Sequence, residues 1–160
     1  PQELGPALSI AGLSYAAFSG FMALMRFLGD GVRNRFGAVA TLRGSALVAA
    51  AGMLVAGLSP SPWLAIAAFA FCGFGIANMV PIIFSAGGNQ EGMSSGTGMS
   101  VVTTMGYSGI LVAPSAIGFV AEHSSFGPIF VALSGLLVVV LLMAGLAHRA
   151  EFAPEPAPAE

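Results

Sequence analysis

The chain has 160 residues, 56% of them hydrophobic and 8% charged, with a mean hydropathy of +0.89 and a formal net charge of −2. Soluble domains carry about 25% charged residues, so this composition excludes an ordinary soluble domain and describes a chain whose solvent is mostly lipid. Lysine is absent and no basic face can form, which argues against a nucleic-acid partner.

Apolar segments and short polar connections alternate along the chain. After a polar lead-in from Pro1 to Gly5, the first apolar segment covers about residues 6–28. Roughly 23 residues at a rise of about 1.5 Å reach about 34 Å, enough for a hydrocarbon core of about 30 Å. Gly12, Ala16 and Gly20 recur at four-residue spacing and predict a face for close helix contact. A charged turn follows, from Met25 to Gly37, holding three of the five arginines and the only aspartate, Asp30. The second segment covers 38–58, with Arg43 near its start, where a long side chain reaches the headgroups.

Ser59-Pro60-Ser61-Pro62 is too stiff and too poor in backbone donors to continue a helix. Trp63 follows it, in the interfacial position where aromatics are enriched. The third segment, 63–86, carries Asn78 and Pro81, and a polar loop from Gly87 to Ser95 ends it. The fourth, 96–121, is the most polar: Thr97, Ser100, Thr103, Thr104, Tyr107 and Ser108 lie in its first half. Glu122-His123-Ser124-Ser125 leads to the fifth segment, 126–147. A Pro-rich tail over 150–160 lacks the apolar residues to build a core and is expected to be disordered.

Arg26, Arg33, Arg35 and Arg43 flank the first connection and Arg149 follows the fifth segment, whereas Ser59–Pro62 and Glu122–Ser125 contain no Lys or Arg. With five spans the arginine-bearing connections fall on one side. The positive-inside rule makes that side, and the C-terminus, cytoplasmic. The chain begins at Pro1, shows no signal peptide and reads as a fragment of something longer.

Gly29-Asp30 followed by Arg35-x-Gly37, between two spans, resembles the loop signature of the major facilitator superfamily, roughly Gly-x-x-x-Asp-Arg-x-Gly-Arg. Asp30, Arg35 and Gly37 match its aspartate, base and later glycine. Arg26 stands at the leading glycine, four residues separate Asp30 from Arg35, and Ala38 replaces the second base. Gly106-Tyr107-Ser108-Gly109 with Pro114 and Gly118 is similar to a late helix of that family's second half.

The resemblance implies an all-α integral membrane protein, with residues 1–149 forming about five transmembrane helices of a partial helical bundle. The function it implies is secondary active transport of a sugar- or drug-like solute by alternating access. It also implies a cytoplasmic or inner cell membrane, a missing N-terminal half as partner, and a proton as candidate coupling ion.

Arg26, Gly29, Asp30, Arg35 and Gly37 read either as a conformational latch or as topology determinants alone, since a carboxylate can pair with a guanidinium or with a helix N-terminus. Ser100, Thr103, Thr104 and Tyr107 share one helix face, which reads as cavity lining or as glue between helices. With the resemblance, the substrate-cavity candidates are Tyr15, Asn78, Thr103, Thr104 and Tyr107. Pro81 and Pro114 free backbone carbonyls, serving either bending or a fixed kink. The lone Cys72 supports neither a disulfide nor a thiolate metal site, and no cofactor is expected.

Two other readings compete. A non-transporting scaffold needs the same apolar helices but neither a latch nor a polar face. Gly106-Tyr107-Ser108-Gly109 also fits the Gly-x-Ser-Gly pattern of intramembrane serine proteases. Against that, His123 lies fifteen residues beyond Ser108 on one helix, about 22 Å away by the helical rise.

Overall fold

A computed structural model describes residues 4–150. The described residues form α1 (Leu4–Phe36), α2 (Ala38–Leu58), α3 (Pro62–Ile76), α4 (Met79–Gly88), α5 (Ser95–His123), α6 (Phe126–Met143) and a 3-10 segment (Ala144–Ala150). With α3 and α4 read as one interrupted crossing, five of these helical stretches are long and apolar enough to span a membrane.

The expected charged turn is not a turn. α1 runs through Asp30, Arg33 and Arg35 and stops only at Phe36. No proline interrupts this stretch, and Met25, Leu28 and the arginines favour helix, against Gly29, Gly31 and Asn34, which do not. What breaks the chain is Gly37, at φ 81° and ψ 165°, a conformation that side chains with a Cβ rarely adopt. At 33 residues α1 is about 50 Å long, so its charged last turns extend past a hydrocarbon core of about 30 Å.

α2 has the predicted bounds. The third segment is divided at Ala77-Asn78, four and three residues before Pro81. Proline lacks the N–H that would reach the Ala77 carbonyl, and its ring crowds that carbonyl. The flanking helical bonds are long: Ala77 N to Gly73 O is 3.3 Å and Ile82 N to Asn78 O is 3.4 Å. Pro114, by contrast, lies within an unbroken α5. α6 tightens into the 3-10 segment, which carries Ala150, so helix-like structure reaches one residue into the predicted tail. The rest of that tail lies outside the described residues.

Helix contacts are made by small residues. α2 is the hub, packed on α3 and α6, while α1 packs mainly on α3. A Cβ on Gly52 would meet the Ala68 carbonyl oxygen at 2.7 Å, and one on Gly75 would meet the Ser45 carbonyl oxygen at 2.6 Å. Gly57 and Gly127 bring α2 against α6, a Cβ on either meeting the other's carbonyl oxygen at 2.8 Å. Between them Ser134 is buried and donates to the Ala50 carbonyl at 2.8 Å. The Gly12, Ala16, Gly20 stripe does not make the α1 contact. A Cβ at Gly12 or Gly20 meets nothing within 4 Å, and the close approach is instead Gly73 against the Phe18 backbone.

α5 stands apart. Its main contact is α4, through the Gly98 and Gly87 backbones, with a smaller one to α6 and none to α1 among the described residues.

Candidate functional site

Arg26, Gly29, Asp30 and Arg33 follow at three- and four-residue steps, so the continued helix places them on adjacent parts of one face. That face meets the α3/α4 break. With Ala77, Asn78, Pro81 and Phe84 it lines a recess of about 350 Å³. Asn78 is 6% exposed. Its amide lies against Gly29, so closely that a Cβ there would collide with Oδ1. Its Nδ2 has no hydrogen-bond partner among the described residues. A buried donor left unpaired costs about 1–3 kcal/mol, and this amide shares its recess with the charged side chains of Arg26, Asp30 and Arg33.

The recess thus unites Asn78, a cavity candidate, with three loop-signature residues: Arg26, Gly29 and Asp30. Arg26 and Asp30 are exposed, and Asp30 makes no ion pair among the described residues. Arg35 and Gly37 lie outside the recess. The Arg35 guanidinium sits 5.8 Å from the ring centre of its neighbour Phe36, and Gly37 supplies the α1–α2 break.

The arginine that ties α1 to the bundle is Arg33, which sequence reasoning used only for topology. Its guanidinium donates to Ser85 Oγ at 2.9 Å and to the Ala150 carbonyl. Asp30 and Arg33 share a face only if the helix continues, and a turn at this point hides that spacing.

A second tie closes the same end. Arg149 pairs with Glu91, and Asn89 Nδ2 donates to the Arg149 carbonyl at 3.1 Å. The hydrogen bond and charge of Arg149 hold the Glu91 carboxyl below its ordinary range. Chain segments far apart in sequence, α1, α4 and the 3-10 segment, are therefore joined at the arginine-bearing end.

The polar stripe of α5 makes no bond to another helix among the described residues. Thr103 is half-buried, and its hydroxyl returns to the Met99 carbonyl at 2.8 Å. Thr104 is exposed, as are Tyr107 and Tyr15. Because α1 and α5 do not pack on each other, Tyr15 is not joined to the stripe within this chain. Ser108 donates to Met105 O at 2.8 Å, and His123 Nδ1 lies 3.0 Å from Phe119 O. Each is bonded within its own turn of α5, and they form no nucleophile–base pair.

The chain is 41% identical over 91% of its length to an uncharacterised MFS-type transporter of Yersinia pestis, covering 38% of that protein. It is 37% identical over 92% of its length to the membrane protein MosC of Rhizobium meliloti, covering 36%. It is 31% identical over 86% of its length to an uncharacterised transporter, y4wD, of Sinorhizobium fredii, covering 37%. The chain thus spans little more than a third of the curated relatives it matches. No solved structure matches it. The family model of the Major Facilitator Superfamily matches residues 1–160, and the chain, an all-α integral membrane protein, belongs to that superfamily.

Proposed function

We propose that this chain is the C-terminal part of a secondary active transporter that moves a small sugar- or drug-like solute by alternating access. The observation that carries the reading is the α3/α4 break, where buried Asn78 faces Gly29 beside Arg26 and Asp30. Interrupted membrane helices place backbone and polar side chains where solutes or gates need them. A scaffold of packed apolar helices needs no such polar recess at a helix break.

In this reading Tyr15, Thr103, Thr104 and Tyr107 face the translocation path, which is completed by an N-terminal half. Arg26, Gly29, Asp30, Arg35 and Gly37 belong to the arginine-bearing end, which works as the latch and faces the cytoplasm of a cell whose inner membrane holds the protein. No Asp, Glu, Lys or Arg lies at the middle of a span. If the carrier is proton-coupled, its titrating group therefore lies outside these residues.

Two-sided labelling tests this. In a cysteine-free full-length protein, Tyr107→Cys is reacted with an impermeant maleimide in right-side-out and inverted vesicles. Alternating access predicts labelling from both sides, with rates that change in opposite directions when a transported solute is added. Labelling from one side only, unmoved by a broad panel of sugars and amphiphiles, supports the scaffold instead.

A further inference from the structure

The 3-10 segment is wound against its own composition. Residues 144–150, Ala-Gly-Leu-Ala-His-Arg-Ala, hold three alanines, a leucine and an arginine, all good α-helix formers, and only Gly145 strongly opposes that form. Seven residues is also a long run for a 3-10 helix, which rarely passes three or four because its hydrogen bonds are poorer. The tighter winding begins at once, with the Ala144 N–H on the Leu141 carbonyl. Local preference is therefore α, and the rest of the fold imposes the 3-10 form.

Two sets of contacts do so. The three-residue period lines up Ala144, Ala147 and Ala150, and all three are buried, in the core that holds Ala38 and Leu42 of α2. Wound as an α-helix they would spread over about 120° of the helix surface. The second set is polar. Arg33 of α1 donates to the Ala150 carbonyl and to Ser85 of α4, Asn89 donates to the Arg149 carbonyl, and Glu91 pairs with Arg149. From residue 144 to residue 150 a 3-10 helix rises about 12 Å and an α-helix about 9 Å, with about 120° less rotation. The α form would withdraw the Ala150 carbonyl from Arg33 and turn Arg149 away from Asn89 and Glu91. All of these groups lie within the chain.

We propose that residues 144–150 are a two-state clasp: a 3-10 helix while Arg33, Asn89 and Glu91 hold them, and an α-helical extension of α6 when these ties let go. In the first state the segment straps α1 and α4 together at the arginine-bearing end. In the second, Arg33 loses the Ala150 carbonyl and the strap opens. Rewinding one short segment thus closes or loosens that end, as bistable elements do in switching proteins. The clasp works whatever solute the carrier moves.

Double electron–electron resonance on a cysteine-free full-length protein tests it. One spin label is placed at His148→Cys and the other at Leu47→Cys of α2 or Leu136→Cys of α6, all exposed positions. Between residues 144 and 148 rewinding turns the label by about 80°, which moves a side chain about 6 Å from the axis by about 8 Å. The parent is expected to give one narrow distance in each pair. Arg33→Gln, and separately Asn89→Ala with Glu91→Gln, are expected to add a second narrow distance, shifted by several ångströms in at least one pair. Asn89 and Glu91 are both exposed, so the second variant guards against misfolding as the cause. Distances unchanged from the parent in both variants overturn the proposal, because the ties then do not set the winding. A broad, featureless distribution in either also overturns it, because the segment then frays instead of rewinding.

Discussion

Gly29 of α1 and Asn78 at the α3/α4 break are packed so tightly that residue 29 has no room for a Cβ beside the Asn78 amide. Gly29→Ala is therefore expected to destabilise the protein by about 1–3 kcal/mol, the usual cost of overpacking. Thermal unfolding of the purified protein measures it. Asn78→Ala removes the obstacle, so the double variant should recover most of the loss. Additive losses in the double variant would show that the two residues do not meet.

Gly87 and Gly98 hold α5 in place, since a Cβ on Gly98 would strike the Gly87 carbonyl and one on Gly87 would meet Val102 Cγ2 at 2.6 Å. Gly98→Ala is expected to loosen α5, detected as faster proteolysis of the 89–94 connection. Gly106→Ala and Gly109→Ala are the controls, with nothing within 4 Å of either Cβ. They should be neutral or gain up to about 1 kcal/mol from helix propensity. Destabilisation by all three variants alike would mean that the α4–α5 contact is not what holds α5.

How far these contacts were legible in the sequence depends on what sets each one. α2 was readable to the residue because Gly37 and Ser59-Pro60 both end helices by local chemistry. The end of α1 was not: hydropathy marks where lipid stops, and Gly29, Asp30, Gly31 and Asn34 read locally as a turn although the helix runs on to Phe36. Pro81 signalled the α3/α4 break. That Asn78 would face Gly29 depended on the packing of α1 on α3, which periodicity does not encode. The Gly12, Ala16, Gly20 stripe shows the converse, a strong local pattern whose face is open in this chain. Ser134 went unnoticed because a single serine among leucines carries no spacing signal.

Ser134→Ala removes the buried bond from α6 to the Ala50 carbonyl. Hydrogen bonds between membrane helices contribute about 0.6 kcal/mol on average. A loss of about that size in unfolding free energy is expected, with α2–α6 cross-linking unchanged. A loss several times larger would mean that α6 docks chiefly through this bond.

The Glu91–Arg149 tie is pH-dependent in a definite direction. The folded-state carboxyl titrates below its ordinary range, so the stabilisation is complete above that range and disappears as pH falls through the lowered folded value. A spin label at His148 should become more mobile over that acid window. Glu91→Gln should give the mobile spectrum at every pH. Because the pair is exposed, salt should weaken it too.

The most direct test of the whole account is the sidedness of the connections in the full-length protein. With Cys72→Ala and no other cysteine, single cysteines at Asn34, Ser61, Gln90 and Ser124 are exposed on intact cells to an impermeant thiol reagent. Five spans with the arginine-bearing end inside predict labelling at Ser61 and Ser124, and at Asn34 and Gln90 only after the membrane is opened. Labelling of Asn34 or Gln90 on intact cells would contradict the topology, and with it the cytoplasmic latch.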